Sequence, residues 1–141
     1  MLDEGEVLRS NEGFYLAFER RDLGAMDGLW SRTAPVACIH PGWGPIVGRD
    51  AVMRSWLEIL ANPSSPEVSC ESPRVSLLGD VAYVICMEHV TLPSENQRGV
   101  FVATNAFVRE DGAWRLVLHQ SSPVADELLP PDEGPRPSQL N

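Results

Sequence analysis

The chain of 141 residues contains no lysine, and all eleven of its basic residues are arginine. Without lysine the protein cannot form a Schiff base, use a serine–lysine pair or provide the lysine of a phosphate-binding loop. Acidic residues outnumber basic ones by 20 to 11, which gives a formal net charge of -9. Because nucleic acids attract basic surfaces, this balance argues against non-specific nucleic-acid binding.

Cysteine is also scarce, and the wide spacing of Cys38, Cys70 and Cys86 matches neither a disulfide framework nor a zinc pattern. We interpret these residues as small buried groups in a reducing compartment. No apolar run approaches the roughly 18 residues of a membrane span. The N-terminal MLDEGEVLRS lacks the basic-then-apolar order of a signal peptide. We therefore expect a cytoplasmic protein without membrane contact.

The N-terminal half carries helical patterning. Apolar residues recur at spacings of three and four from about Glu4 to Arg21, which predicts an amphipathic helix. A second, short helix is predicted from Leu23 to Trp30, with Asp22 as its N-cap. Val36 to His40 is short and apolar between prolines and predicts a strand. A third helix is predicted from Asp50 to Leu60.

The rest of the chain is strand-like. Pro73 predicts an edge position or a bulge in the first strand of this part, and Glu110-Asp111-Gly112 is a hairpin signal. Helices followed by antiparallel strands indicate an α+β domain over residues 1–122. The tail, residues 123–141, holds five of the twelve prolines and no aromatic residue, so we expect it to be mobile or draped on the surface. Four strands are predicted: Val68–Leu78, Val81–Leu92, Gly99–Arg109 and Trp114–Ser122.

Two stretches carry a resemblance to a known family. The first is IHPGWGPIVGRDAVMRSW, with a strand, a His-Pro bend and a helix start. The second is ATNAFVREDGAWRLVLHQSSP, with Asn105, an Asp-Gly turn, Trp114 and His119. Over roughly residues 6–123 the chain resembles the NTF2-like superfamily, specifically its SnoaL-like branch. One fold hosts many functions, so the likeness is informative about the fold and weak about activity.

The resemblance implies a cone-shaped α+β roll, also called cystatin-like. In such a fold a curved antiparallel sheet is closed by three N-terminal helices and keeps an apolar cavity between the two layers. Relatives include ketosteroid isomerases, polyketide cyclases, dehydratases and epoxide hydrolases, and many others only bind a molecule. They commonly form homodimers through the outer face of the sheet.

Glu88 is the first candidate catalytic residue. The period of two in its predicted strand places it on a uniformly apolar face, where a carboxylate is costly unless it is exposed at a rim, hydrogen-bonded or protonated. Glu88 is therefore a candidate general acid or base. The alternative is a rim or dimer-interface glutamate that an arginine holds. The other residues of this face are Ala82, Val84, Cys86, Val90 and Leu92.

Five further residues are candidates for the site. His40 and Trp43 flank the bend at the expected mouth of the cone, where they could bind a ligand or simply pack. Asn105 and His119 lie on neighbouring strands, either as donors in one cavity or as a satisfied cross-strand network. His119 is also the second candidate for proton transfer. Trp30 is interpreted as a core residue within reach of the cavity floor.

The isomerase resemblance is only partial. Ketosteroid isomerases use a carboxylate base opposite a tyrosine, and Tyr83 lies on the other side of its strand from Glu88. His119, Ser121 and Ser122 do not form a recognisable triad. The scattered histidines lack metal-site spacing, so we expect neither a metal nor a cofactor.

Two functions remain open at this point, beside a third possibility, a pure dimerisation domain whose cavity is collapsed. The first is a homodimeric binding protein whose cone holds a small apolar or aromatic molecule. The second is a cofactor-independent isomerase, polyketide cyclase or dehydratase in which Glu88 or His119 moves a proton while Asn105 and His119 polarise a carbonyl.

Overall fold

The computed structural model describes residues 2–125 as three α-helices and six β-strands. No helix among these residues is long and apolar enough to cross a lipid bilayer. The predicted tail lies outside the described residues from position 126 onward. The elements are α1 (Leu2–Glu19), α2 (Leu23–Leu29), β1 (Ala37–Ile39), β2 (Ile46–Val47), α3 (Arg49–Ala61), β3 (Glu67–Leu78), β4 (Val81–Leu92), β5 (Gln97–Glu110) and β6 (Ala113–Pro123), with a 3₁₀ turn at Pro93–Glu95.

The six strands form one curved, unclosed sheet in the order β2-β1-β6-β5-β4-β3. All neighbouring strands are antiparallel except β1 and β6, which run parallel. The helices pack on one face of the sheet, with α1 lying against β3, β4 and β6. This arrangement confirms the predicted α+β cone.

The pleat of the strands sorts side chains between the helix-covered inner face and the outer face. On β4 every second residue from Ala82 to Val90 is buried, and Glu88 is among them at 3% exposure. The prediction that Glu88 shares the apolar face of its strand is confirmed. The alternate residues lie on the outer face: Tyr83, Ile85, Met87, His89 and Thr91.

Local chemistry explains several turns and irregularities. The carboxylate of Asp22 accepts a hydrogen bond from the Ala25 amide at 3.0 Å and caps α2 as predicted. Asp111 and Gly112 have φ values of 52° and 78°, the left-handed pair that a tight two-residue hairpin requires. The β3–β4 register shifts between Glu71 and Arg74, and β3 is an edge strand, so Pro73 lies where the sequence predicts an edge or a bulge.

The structure adds one strand that the sequence analysis missed. Ile46 and Val47 form β2, which pairs with β1 inside the stretch predicted to be only a bend. Two residues are too few to show a period of two, so the sequence carries no signal for this strand. Trp30 is 1% exposed, which confirms that it is a core residue, and Trp56 of α3 is 0% exposed.

Candidate functional site

A cavity of about 420 Å³ lies between the helices and the inner face of the sheet. It has the size of a typical small-molecule site. Its walls come from the ends of α1 and α3, the bend after β1, the loop after α3, the start of β3, the end of β4, the first half of β5 and His119 of β6. The apolar residues that line it are Phe18, Ile59, Val68, Val90, Leu92 and Phe101.

Glu88 lies in the wall of this cavity and is held by two hydroxyl groups. The Tyr15 hydroxyl donates to Oε2 at 2.6 Å, and the Ser121 hydroxyl donates to Oε1 at 2.6 Å. Tyr15 comes from α1 and Ser121 from β6, so two elements converge on one carboxyl group. Each carboxyl oxygen keeps a further lone pair free for another donor.

Burial raises the pKa of Glu88 above its ordinary value, and the hydrogen bonds from Ser121 and Tyr15 act in the opposite direction. The alternative that an arginine holds Glu88 at a rim is wrong, because the residue is buried and both of its hydrogen-bond partners are hydroxyl groups. Burial and the negative charge of Glu88 raise the pKa of Tyr15, so this phenol stays protonated at neutral pH.

Asn105 organises the polar groups behind the cavity wall. Its amide nitrogen donates to Asn11 Oδ1 at 2.8 Å and to the Tyr15 hydroxyl at 3.2 Å. Its Oδ1 accepts from His119 Nδ1 at 2.6 Å. Asn105 is 0% exposed, and all its polar atoms are satisfied. It pairs directly with His119 in the β5–β6 ladder, as expected for residues that project together from adjacent strands.

These contacts fix the tautomer of His119. Because Asn105 Oδ1 can only accept, the hydrogen of the imidazole resides on Nδ1, and Nε2 carries a lone pair. His119 forms part of the cavity wall, and Nε2 is the acceptor nitrogen of its ring. Burial lowers the pKa of His119 to about 3, so the ring is neutral at physiological pH.

His40 faces the same cavity from the end of β1. Ser55 Oγ donates to the Val52 carbonyl at 2.7 Å and therefore accepts from His40 Nε2 at 3.0 Å. Burial, together with the nearby His119, lowers the pKa of His40 to about 4. The centroids of the two imidazole rings are 6.5 Å apart, so the cavity contains two neutral histidines and no imidazolium at neutral pH.

The rim of the cavity is partly exposed and is clamped by one arginine. Trp43 is 46% exposed and lines the cavity. Its ring packs edge-on to that of His40, with the ring centroids 4.9 Å apart. On the opposite side, Arg21 donates to the carbonyls of Asn62 and Ser65, each at 2.9 Å. This clamp holds the loop after α3, whose residues also line the cavity.

Four of the six predicted site residues line the cavity together: His40, Trp43, Glu88 and His119. Asn105 lies one layer behind them. Trp30 is not among the lining residues, and its backbone instead bridges to Leu116. The predicted role of Asn105 and His119 as donors to a ligand carbonyl does not fit, because the hydrogens of both are already committed to protein acceptors.

The sequence analysis missed Tyr15, Asn11 and Ser121 as partners of the site. A signal was present, since Asn11 interrupts the otherwise apolar stripe of the first helix, and a buried polar group there needs a partner.

Within residues 2–125 there is no cluster of three or more histidine, cysteine or acidic side chains that could hold a metal ion. Chemically, the site can bind a molecule through lone pairs or move a proton at Glu88.

Residues 7–126 match the family described as the SnoaL-like domain. A solved structure from Streptomyces avermitilis, provisionally described as a dehydratase of the NTF2-like family, is 34% identical with a TM-score of 0.80. The match covers 87% of this chain and 96% of that one.

Two further relatives have other descriptions. A structure from Thiobacillus denitrificans, provisionally described as a calcium/calmodulin-dependent protein kinase type II association domain, is 33% identical over 82% of this chain and 92% of that one, with a TM-score of 0.72. The F-box protein SKIP8 of Arabidopsis thaliana is 28% identical over 82% of this chain. The chain spans about half the length of that curated relative, 48%.

Proposed function

Because the chain belongs to the family of SnoaL-like domains, we propose that it binds a small, largely apolar organic molecule in the cavity between helices and sheet. The observation that carries this proposal is the 420 Å³ cavity itself, which combines apolar walls with a few convergent polar groups. His40, Trp43, Glu88 and His119 are the proposed ligand contacts. Asn105 is a positioning residue that orients His119.

A neutral aromatic probe tests this proposal. 1-Naphthalenemethanol should bind with a Kd of about 100 µM, the affinity expected of a dozen non-hydrogen atoms in a fitting site. Val90 lines the cavity, so Val90→Phe should abolish binding by filling it. Thr91→Phe adds the same ring on the outer face of the same strand and should leave the Kd unchanged. Calorimetric titration measures all three, and equal binding by both variants would reject the cavity as the site.

A second candidate function is acid–base catalysis in the same cavity, of the isomerase, polyketide cyclase or dehydratase type. The observation that favours it is a carboxyl group with a raised pKa beside an oriented imidazole lone pair. In this proposal Glu88 carries the proton, and His119 Nε2 accepts a hydrogen bond from the substrate. The relative provisionally described as a dehydratase supports this class of reaction.

The pKa of Glu88 decides whether this second function is tenable. A residue that exchanges protons near neutrality should titrate well above the ordinary range of a glutamate. Carbon-13 NMR of the labelled carboxyl group, with Glu88→Gln to assign the signal, measures this directly. An ordinary pKa for Glu88 would remove the catalytic candidate and leave the binding function standing.

We also propose that the protein forms a homodimer through the outer face of the sheet. No described element covers this face, and Val81 and Ile85 are exposed there by 41% and 43%. The relative described as an association domain supports self-association. Ile85→Arg should produce a monomer in sedimentation velocity. Leu57→Arg, at an equally exposed apolar position on α3, should leave the dimer intact.

A further inference from the structure

When Glu88 is ionised, the polar floor of the cavity offers lone pairs to a ligand and has no hydrogen left to donate. The Tyr15 and Ser121 hydroxyl groups both donate to Glu88. His119 Nδ1–H is committed to Asn105, and His40 Nε2–H is committed to Ser55. The wall residues Glu88 and His119 therefore keep the remaining lone pairs of the carboxylate and the lone pair of Nε2.

The charged side chains that line the cavity are all acidic. The charged residues among those that line the cavity are Glu58 at the rim and Glu88 at the floor, and no arginine is among them. Glu88 is 3% exposed and has hydroxyl groups, rather than a cation, as its hydrogen-bond partners. A buried carboxylate without a counter-ion favours the approach of a positive charge.

The walls themselves suit an organic cation. Phe18, Trp43 and Phe101 provide aromatic surface around the cavity, which attracts cations as well as apolar groups. The formal net charge of -9 favours cations over anions at longer range. An anion would meet the opposite conditions, since it would lie against acceptor atoms and a like charge.

We propose that the cavity selects small organic amines, with an apolar body against the aromatic wall and an ammonium group that donates to the Glu88 carboxylate and to His119 Nε2. This inference rests on the proposed binding function and names the chemical class of its ligand. Carboxylates are excluded, and neutral alcohols bind more weakly because they supply one donor and no charge. Binding of the amine and ionisation of Glu88 favour each other, since a cation beside the carboxyl group stabilises its charged form.

Four probes that share one naphthalene body test the selection: 1-naphthylmethylamine, 1-naphthalenemethanol, 1-methylnaphthalene and 1-naphthoate. At pH 7.5 the amine should bind at least tenfold more tightly than the alcohol, and naphthoate should bind most weakly. Glu88→Gln should weaken amine binding at least tenfold and change alcohol binding by less than threefold. Glu12→Gln, which removes a charge from the exposed face of α1 outside the cavity lining, is the matched control and should change amine binding by less than threefold.

The outcomes separate this inference from the binding function on which it rests. If the alcohol and methylnaphthalene bind and Val90→Phe blocks them, but the amine is no tighter, the amine proposal fails and the binding function stands. If amine binding is tight but insensitive to Glu88→Gln, the proposed contact is wrong. If none of the four probes binds, both proposals fail. The ranking on the unmodified protein is decisive even if a variant does not fold.

Discussion

The same three strands, β4, β5 and β6, build two unlike regions on the inner face of the sheet. At one end, which we term the apolar end, the paired residues Ala82, Phe107 and Leu116 are all fully buried, and Trp30 forms a backbone bridge to Leu116. At the other, the cavity end, the sheet presents Glu88, Phe101 and Ser121. Asn105 and His119 lie between the two ends.

The two ends bury different kinds of polar group. Indole nitrogens without a partner among the described residues occur at both: those of Trp30 and Trp114 near the apolar end, and that of Trp56 beside the histidines of the cavity. The cavity end also buries a carboxyl group and an amide group, each held by hydrogen bonds to other buried side chains. The cavity end bears the cost of desolvating polar groups, which points to function rather than stability.

The largest expected effect comes from truncating a ring at the apolar end. Phe107→Ala should lower the free energy of unfolding by about 3–5 kcal/mol, because it leaves a void in close-packed surroundings. Phe101→Ala, at the cavity end, should cost about half as much, since part of that ring already faces the cavity. Urea denaturation measures both, and equal losses would contradict the contrast between the two ends.

The next largest effect is expected for Asn105→Ala, which should lower the free energy of unfolding by about 2–3 kcal/mol. The change leaves His119 Nδ1–H and Asn11 Oδ1 buried without their partners. Nitrogen-15 NMR of the imidazole should show the Nδ1–H tautomer of His119 in the wild type and its loss in the variant. Thr104→Ala, on the outer face of β5, is the control and should cost less than about 0.5 kcal/mol. An unchanged tautomer would rule out positioning by Asn105.

A third effect is the pH dependence that His40 confers. Its pKa falls from 6.5 in the unfolded chain to about 4 in the folded protein, so its stabilising contribution is present above pH 6.5 and is lost as the pH falls towards 4. Between pH 6.5 and 5 the free energy of unfolding of the wild type should fall by about 2 kcal/mol more than that of His40→Gln, as urea denaturation at each pH would measure. Parallel stability profiles would show that His40 is solvated.

Glu88 should produce the opposite trend and provides an internal check. Because its pKa is raised on folding, its contribution is present below the ordinary glutamate pKa and is lost as the pH rises through the folded value. The stability of the wild type relative to Glu88→Gln should therefore decline from pH 4 upward. A trend in the same direction as that of His40 would contradict the assigned burial of Glu88.

The smallest stability effect is expected at the rim. Trp43→Ala should change the free energy of unfolding by less than about 0.5 kcal/mol, because the side chain is 46% exposed. The same variant should weaken binding of 1-naphthalenemethanol about threefold or more, since it removes aromatic contact from the cavity wall. Calorimetry on the folded variant checks both values, and unchanged affinity would place the ligand away from the rim.

The sequence predicted what depends on local periodicity. The bounds of β4, Val81–Leu92, agree with the prediction, because a long alternation specifies both the strand and its buried face. The pairing of Asn105 with His119 was not accessible, because the hairpin turn alone would place Asn105 opposite Leu118, and a register shift next to Ala106 brings His119 there instead. Two-residue β2 was not accessible either, because it is too short to show a period.

The central contact of the site could not be predicted from a pattern. Tyr15 and Glu88 are 73 positions apart, and nothing in a helix stripe specifies which strand residue it meets. Tyr83, the tyrosine near Glu88 in the sequence, points away from it, while Tyr15 reaches it from α1. The cavity is equally inaccessible to sequence analysis, because its volume depends on the space that the side chains of two helices and four strands leave unfilled.

Methyl NMR during titration with 1-naphthalenemethanol tests the account most directly. Shifts should be concentrated in Val68, Val90 and Leu92, whose side chains line the cavity, while Val84 and Leu116 at and near the apolar end stay unchanged. Shifts spread evenly over both ends, or confined to the exposed outer face of the sheet, would contradict the claim that one end is packed for stability and the other is open for a ligand.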